Sequence, residues 1–110
     1  MKKEKLFIII VKYIVDLEIV AQHRDAHLEY LDKYYAKRVF LASGRQNPRF
    51  GGVIIAKATS REKLYEILAQ DPFHQHLCAE YQAIEFEPNK GTKGFKEFLQ
   101  ESSLDLFNIK

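Results

Sequence analysis

Two side chains in this sequence are of the types that move protons: the imidazole of His27 and the carboxylate of Asp71. Histidine exchanges its proton near neutral pH, and a carboxylate within hydrogen-bond reach would orient the ring, so together they could form a general acid–base dyad. Asp71 stands in Asp71-Pro72-Phe73, where proline stiffens the backbone and would hold the carboxylate in place. Each residue also has a structural reading. His27 could be a buried imidazole satisfied by a carboxylate or carbonyl, and Asp71 could simply cap a turn that starts at Pro72. Arg24 lies three residues before His27, so a helix would place both on one side.

A second group surrounds Ser43-Gly44. Gly44 would permit close approach of a ligand to the backbone or a positive φ angle. Arg45 and Arg49, in the glycine-punctuated stretch 43–52, could bind a small anion, or could be solvated loop arginines. Ser43 has no nucleophile-elbow pattern around it, which argues against a serine triad. His23 and His27 are four apart, and His74 and His76 follow Asp71. The helical pair has the spacing of HExxH, but position 24 is arginine, so the general base is missing and a cation sits beside the would-be ligands. No metal site is expected. Cys78 has no partner in the chain, which excludes an internal disulfide, and nothing beside it activates a thiolate; it should pack as a small hydrophobe.

Positioning these residues requires a recognisable set of elements. Residues 5–13 are almost continuously apolar and β-branched, as in a central strand covered on both faces, or covered on one face and paired with another subunit on the other. Asp16 can cap a helix over 17–37, with Leu17, Val20, Leu28, Leu31, Tyr34 and Tyr35 as its inner stripe. Strands follow at 39–43 and 53–57, paired as a hairpin because no helix fits between them. Thr59-Ser-Arg-Glu62 reads as a capping box opening a helix to about Ala69, and Pro72 ends it. Residues 80–87 alternate as a fourth strand. The order β-α-β-β-α-β predicts an α+β, ferredoxin-like sandwich: a four-stranded antiparallel sheet with two helices on one face. The apolar residues on the other face need cover, most simply from the same face of a second copy, making a homodimer and a dimeric α+β barrel. The domain spans residues 1–88. Residues 89–110 form a tail in which Phe95, Phe98 and Leu99 have helical spacing, and Leu104, Leu106, Phe107 and Ile109 should pack on the domain or a partner.

Composition narrows the function classes. The chain has 17 basic and 15 acidic residues, interspersed, for a net charge of +2. A concentrated basic face is lacking, which argues against nucleic acid as the main partner. The apolar run after Lys2, Lys3 and Lys5 is too short for a signal peptide or a membrane span, so a cytoplasmic location is expected. The glycines show no dinucleotide-binding pattern, and no cofactor is expected.

Four motifs in register carry a family resemblance: Arg24-Asp-Ala-His27-Leu28-Glu-Tyr30-Leu31, Phe40-Leu-Ala-Ser43-Gly44, Gly51-Gly52-Val-Ile-Ile-Ala56 and Asp71-Pro72-Phe73. In order and spacing, over about residues 5–88, they resemble YCII-related (YciI-like) proteins. The resemblance implies a ferredoxin-like fold of the dimeric α+β barrel superfamily, usually dimeric. It also implies a proposed active site made of a histidine on the first helix and the aspartate of an Asp-Pro-Phe/Tyr motif, here His27 and Asp71. A few relatives act on small ring compounds, as in removal of chloride from chlorinated hydroxyquinols. Many relatives carry Ser/Ala-Gly-Pro where this chain has Ser43-Gly44-Arg45, a departure that bears on the loop and on ligand choice.

With the resemblance included, the expectation is a small-molecule enzyme. His27 would be general acid or base and Asp71 its orienting partner, both assigned to the catalytic site. Arg24, Ser43, Gly44 and Arg45 would contact the substrate. The reaction class would be elimination, isomerisation or hydrolysis of a small organic molecule, ring compounds included. The competing readings are a non-catalytic metabolite-binding dimer and a structural domain with a buried His–Asp pair.

Overall fold

The computed structural model describes residues 3–104. Lys2, Leu106, Phe107 and Ile109, invoked above, lie outside the described residues. The apolar run forms β1 (Lys5–Tyr13), the central strand. It is followed by α1 (Leu17–Gln22), α2 (Arg24–Ala36), β2 (Phe40–Arg45) and β3 (Gly51–Ala58). Then come α3 (Arg61–Leu68), the single turn α4 (Pro72–Gln75), β4 (Ala79–Phe86) and α5 (Lys93–Glu101). The sheet is antiparallel in the order β2-β3-β1-β4, which is ferredoxin-like and α+β. Ile9 of β1 stands between Ile54 of β3 and Ala83 of β4.

Strand alternation divides the apolar residues between two cores. Phe7, Ile9 and Val11 are buried with Ile54 and Ala56 under the helix layer, against Val20, Leu31, Tyr34, Leu64, Leu68 and Phe73. On the opposite face, Leu6 is buried with Leu99 and Leu104, and Leu41 and Ile55 pack around them. Thus α5, capped by the Thr92 side chain on the Phe95 N–H, covers one end of that face. Lys57 Nζ donates to the Ser102 carbonyl at 2.7 Å and pairs with Glu4 at 3.3 Å, so its buried ammonium is satisfied. Part of the cover assigned above to a second copy therefore comes from the chain's own tail. Ile84 and Phe86, at 44% and 43% exposed, remain open.

Several local expectations are corrected. The helix predicted over 17–37 is two helices, broken at His23 (φ −108°, ψ 7°), where no glycine or proline interrupts the sequence. The break coincides with a tertiary contact, His23 stacked on His76 at 3.9 Å. Leu17 and Leu28 of the predicted inner stripe are substantially exposed, and Tyr30 is buried instead. The cap of α3 is Ser60, not Thr59: β3 continues to Ala58, which moves the helix start on by one residue, and Ser60 Oγ accepts from the Lys63 N–H. β2 runs to Arg45, past the predicted end at 43, because it stays paired to β3 as far as Arg45–Gly52.

At Gly51 the β1 backbone leaves no room for a side chain. A Cβ there would sit 1.7 Å from the Val11 carbonyl oxygen, which is backbone and cannot rotate away. Gly51→Ala must therefore open the β1–β3 ladder. A loss of about 1–3 kcal/mol is expected, read as a lower urea midpoint at unchanged slope.

Candidate active site

α1, α2, the β2–β3 hairpin and the start of α4 leave a cavity of ≈ 300 Å³ between them. Leu17, Val20, Arg24, His27, Leu28 and Leu31 line it at helical spacing. The stripe on these helices thus faces the cavity along much of its length, and Tyr30, Leu31 and Tyr34 of α2 are the buried packing residues. This explains the exposed Leu17 and Leu28: they are cavity wall.

His27 is held on two sides. Its Nδ1 lies 2.8 Å from Oδ1 of Asp71, and its ring stacks on Phe73 with centroids 3.9 Å apart and planes at 11°. Because the carboxylate accepts, Nδ1 carries the proton and Nε2 is the nitrogen left over. The His27 side chain is 14% exposed and borders the cavity.

Asp71 is fully buried and lies behind the imidazole, outside the cavity lining. Three donors satisfy it. Oδ1 accepts from His27 and from the Phe73 backbone N–H at 3.0 Å, and Oδ2 accepts from the Tyr81 hydroxyl at 2.7 Å. The residue is also the N-cap of α4, with Pro72 at the first helical position. Capping and holding the imidazole are thus simultaneous roles of one side chain. Burial, and then the nearby Asp71 charge, push the Tyr81 hydroxyl far above the ordinary phenol range; its bond to Asp71 acts in the same direction. Tyr30, buried on α2 with its hydroxyl on the Ile67 carbonyl, is pushed up by the same two causes.

The remaining candidates fall as follows. Ser43 lines the cavity, and its hydroxyl shares a 2.5 Å hydrogen bond with Tyr35. Gly44 also lines it, but no described glycine has positive φ. The positive-φ reason given for Gly44 is therefore wrong, because the residue sits in extended strand, and a Cβ there would meet nothing within 4 Å. Arg45 ends β2 and does not belong to the loop, while Arg49 is in the loop; both line the cavity with Arg24. His23, His74 and His76 are not part of the lining, and among the described residues no three His, Cys, Asp or Glu side chains cluster as metal ligands. Cys78 is buried, and burial raises its thiol pKa. Sequence reasoning missed two supports, Phe73 and Tyr81. The available signal for Tyr81 was its polar tip on the inward side of an alternating strand, opposite Val11.

Residues 5–87 match the YCII-related domain family. The chain belongs to the YCII-related family. No curated protein matches it. Among solved structures, this YCII-related chain is similar to 5-chloro-2-hydroxyhydroquinone dehydrochlorinase from Burkholderia phenoliruptrix AC1100, in complex with 2,5-dihydroxybenzoquinone. The TM-score is 0.63 at 22% identity, over 78% of this chain and 95% of that one, a likeness of fold. Among the described residues of the YCII-related chain, no helix is long and apolar enough to cross a membrane.

Two predictions follow from the Asp71 cluster. Asp71→Ala leaves the imidazole, the Tyr81 hydroxyl and a backbone N–H without their acceptor, and should cost about 3–5 kcal/mol in urea denaturation. The raised Tyr81 hydroxyl sets an alkaline limit. Above pH about 10 the unfolded phenol loses its proton while the native one keeps it, so stability falls as pH rises, and below that pH this group contributes no slope. Tyr81→Phe should flatten that alkaline decline in a pH series of unfolding midpoints.

Proposed function

We propose that this protein is a small-molecule enzyme in which His27 is general acid or base toward a ring-sized organic compound bound in the cavity. The carrying observation is the position of the imidazole, with one nitrogen on a buried carboxylate, one face against Phe73 and its edge on a cavity. With Nδ1 protonated toward Asp71, Nε2 starts as the proton acceptor. The imidazolium formed on proton uptake is stabilised by the adjacent carboxylate, which orients the ring and does not itself take the proton. Return of that proton to another substrate atom would give isomerisation. Loss of a neighbouring leaving group would give elimination, and activation of water would give hydrolysis. Ser43, held by Tyr35, and the open backbone at Gly44 would meet a polar substituent, with Arg24 and Arg45 beside them.

The dehydrochlorinase of similar fold, complexed with a dihydroxylated quinone, supports a ring substrate and favours the elimination branch. The apolar residues left open beside α5 support a homodimer through the remaining sheet face. The unpaired, buried Cys78 fits a reducing compartment such as the cytoplasm.

The test is His27→Gln against wild type, with chloride release from chlorinated hydroxyquinols and consumption of other hydroxylated ring compounds as readouts. Turnover should fall by about 10²–10⁴-fold, while 2,5-dihydroxybenzoquinone is still bound. The melting temperature should fall modestly, because Asp71 loses its imidazole donor and Phe73 its stacking partner. Undiminished turnover in the variant would reject the acid–base role. Binding without turnover by wild type would point to a metabolite-binding protein.

A further inference from the structure

Acid–base chemistry at His27 does not account for the charge of the cavity. Arg24, Arg45 and Arg49 line it, and among the described residues no aspartate or glutamate does. Their three positive charges exceed the net +2 of the entire chain. Elsewhere, lysines meet acids: Lys5 with Glu85 at 3.6 Å, Lys57 with Glu4 at 3.3 Å and Lys93 with Glu97 at 4.0 Å. Among the described residues, none of the three arginines has such an ion pair. Like charges gathered at a concave, low-dielectric wall repel one another and focus a field that attracts anions.

The arginines come from separate elements. Arg24 opens α2, Arg45 closes β2 and Arg49 lies in the hairpin loop. All three are exposed, whereas His27 and Phe73 are the shielded part of the wall. The cavity is therefore cationic at its mouth and apolar, with one imidazole, at depth. Its ≈ 300 Å³ is at the small end of ligand sites, and a cavity of roughly 150 Å³ already holds benzene. One ring with one ionised substituent fits, and a nucleotide does not.

We infer that the ring compound carries a carboxylate, seated against Arg45 and Arg49 at the hairpin rim with Arg24 beside it. Its ring lies deeper, against the apolar wall at His27. The orientation rests on the acid–base reading, whereas the recognition concerns binding alone. A guanidinium fork matches a carboxylate in two parallel hydrogen bonds. Phosphate shares that chemistry but is commonly cradled by a glycine-rich loop at a helix start; here Gly44 and Gly52 are committed to the β2–β3 ladder. The open space at Gly44 leaves the wall beside Arg45 accessible.

The experiment is calorimetric binding of 2,5-dihydroxybenzoate and its uncharged amide to the full chain. The acid should bind at least about tenfold tighter, equivalent to about 1.4 kcal/mol. The Arg45→Gln/Arg49→Gln double variant should abolish that gap by weakening the acid far more than the amide. The charge-keeping Arg45→Lys/Arg49→Lys variant should hold an intermediate gap, because charge remains and the fork is lost. His27→Gln should keep the full gap, so failure of the acid–base reading would leave this result standing. Equal binding of acid and amide, a gap that survives the glutamine changes, or no binding of either at millimolar concentration would overturn the inference. So would displacement by inorganic phosphate as effective as that by benzoate.

Discussion

A carboxylate removed from water must be met by donors, since each lost solvent bond otherwise costs free energy of the order of 1–3 kcal/mol. At Asp71 that requirement joins three parts of the fold. The imidazole comes from α2, the phenol from β4, and the backbone N–H from α4, the turn the residue itself caps. Each donor lies on an element whose position is set by packing. The carboxylate thus reads out whether the helix layer, the sheet and the short turn are all in place. It does not border the cavity itself, but its bonded neighbours His27 and Phe73 do, so its influence on a bound molecule is exerted through the residues it holds.

The cavity is the complementary feature. Helices seated fully on the sheet would have buried Leu17 and Leu28 as a stripe. The helix pair instead bends at His23, and the two leucines become wall. Exposed apolar surface of this kind is a cost in an empty protein and an asset when a ring fills it. The hairpin supplies the other wall. Gln46 ties its base down by donating to the Gly52 carbonyl at 3.2 Å, which steadies the strand ends beside Arg45 and Arg49. Apolar walls beneath an exposed, cationic rim combine shape selection at depth with charge selection at the entrance.

The two faces of the sheet have different jobs. The helix face carries the large core and the candidate site. The opposite face carries a smaller core closed by α5, anchored by Leu99, Leu104 and the Lys57–Ser102 bond. A charged group buried under that helix is retained because a carbonyl and a carboxylate both meet it.

Much of this was legible in the chain itself. Period-two and period-3.6 patterns, the hairpin-length gap and Asp71-Pro72 specify the element order, the ferredoxin-like topology and the cap of α4, because these depend on neighbours in sequence. Four motifs in register likewise carried the family. What the chain alone did not reveal depends on contacts between distant residues. The break at His23 accompanies a ring on α4's far end, and the start of α3 depended on how far β3 remained paired. Tyr81 and Phe73 became supports of His27 only when β4 and α4 were brought beside α2. The sequence by itself thus determined which residues could exchange protons and which elements would carry them. Tertiary structure decided that His27 borders the cavity while Asp71 lies behind it, because burial belongs to the packing of elements and not to any local pattern.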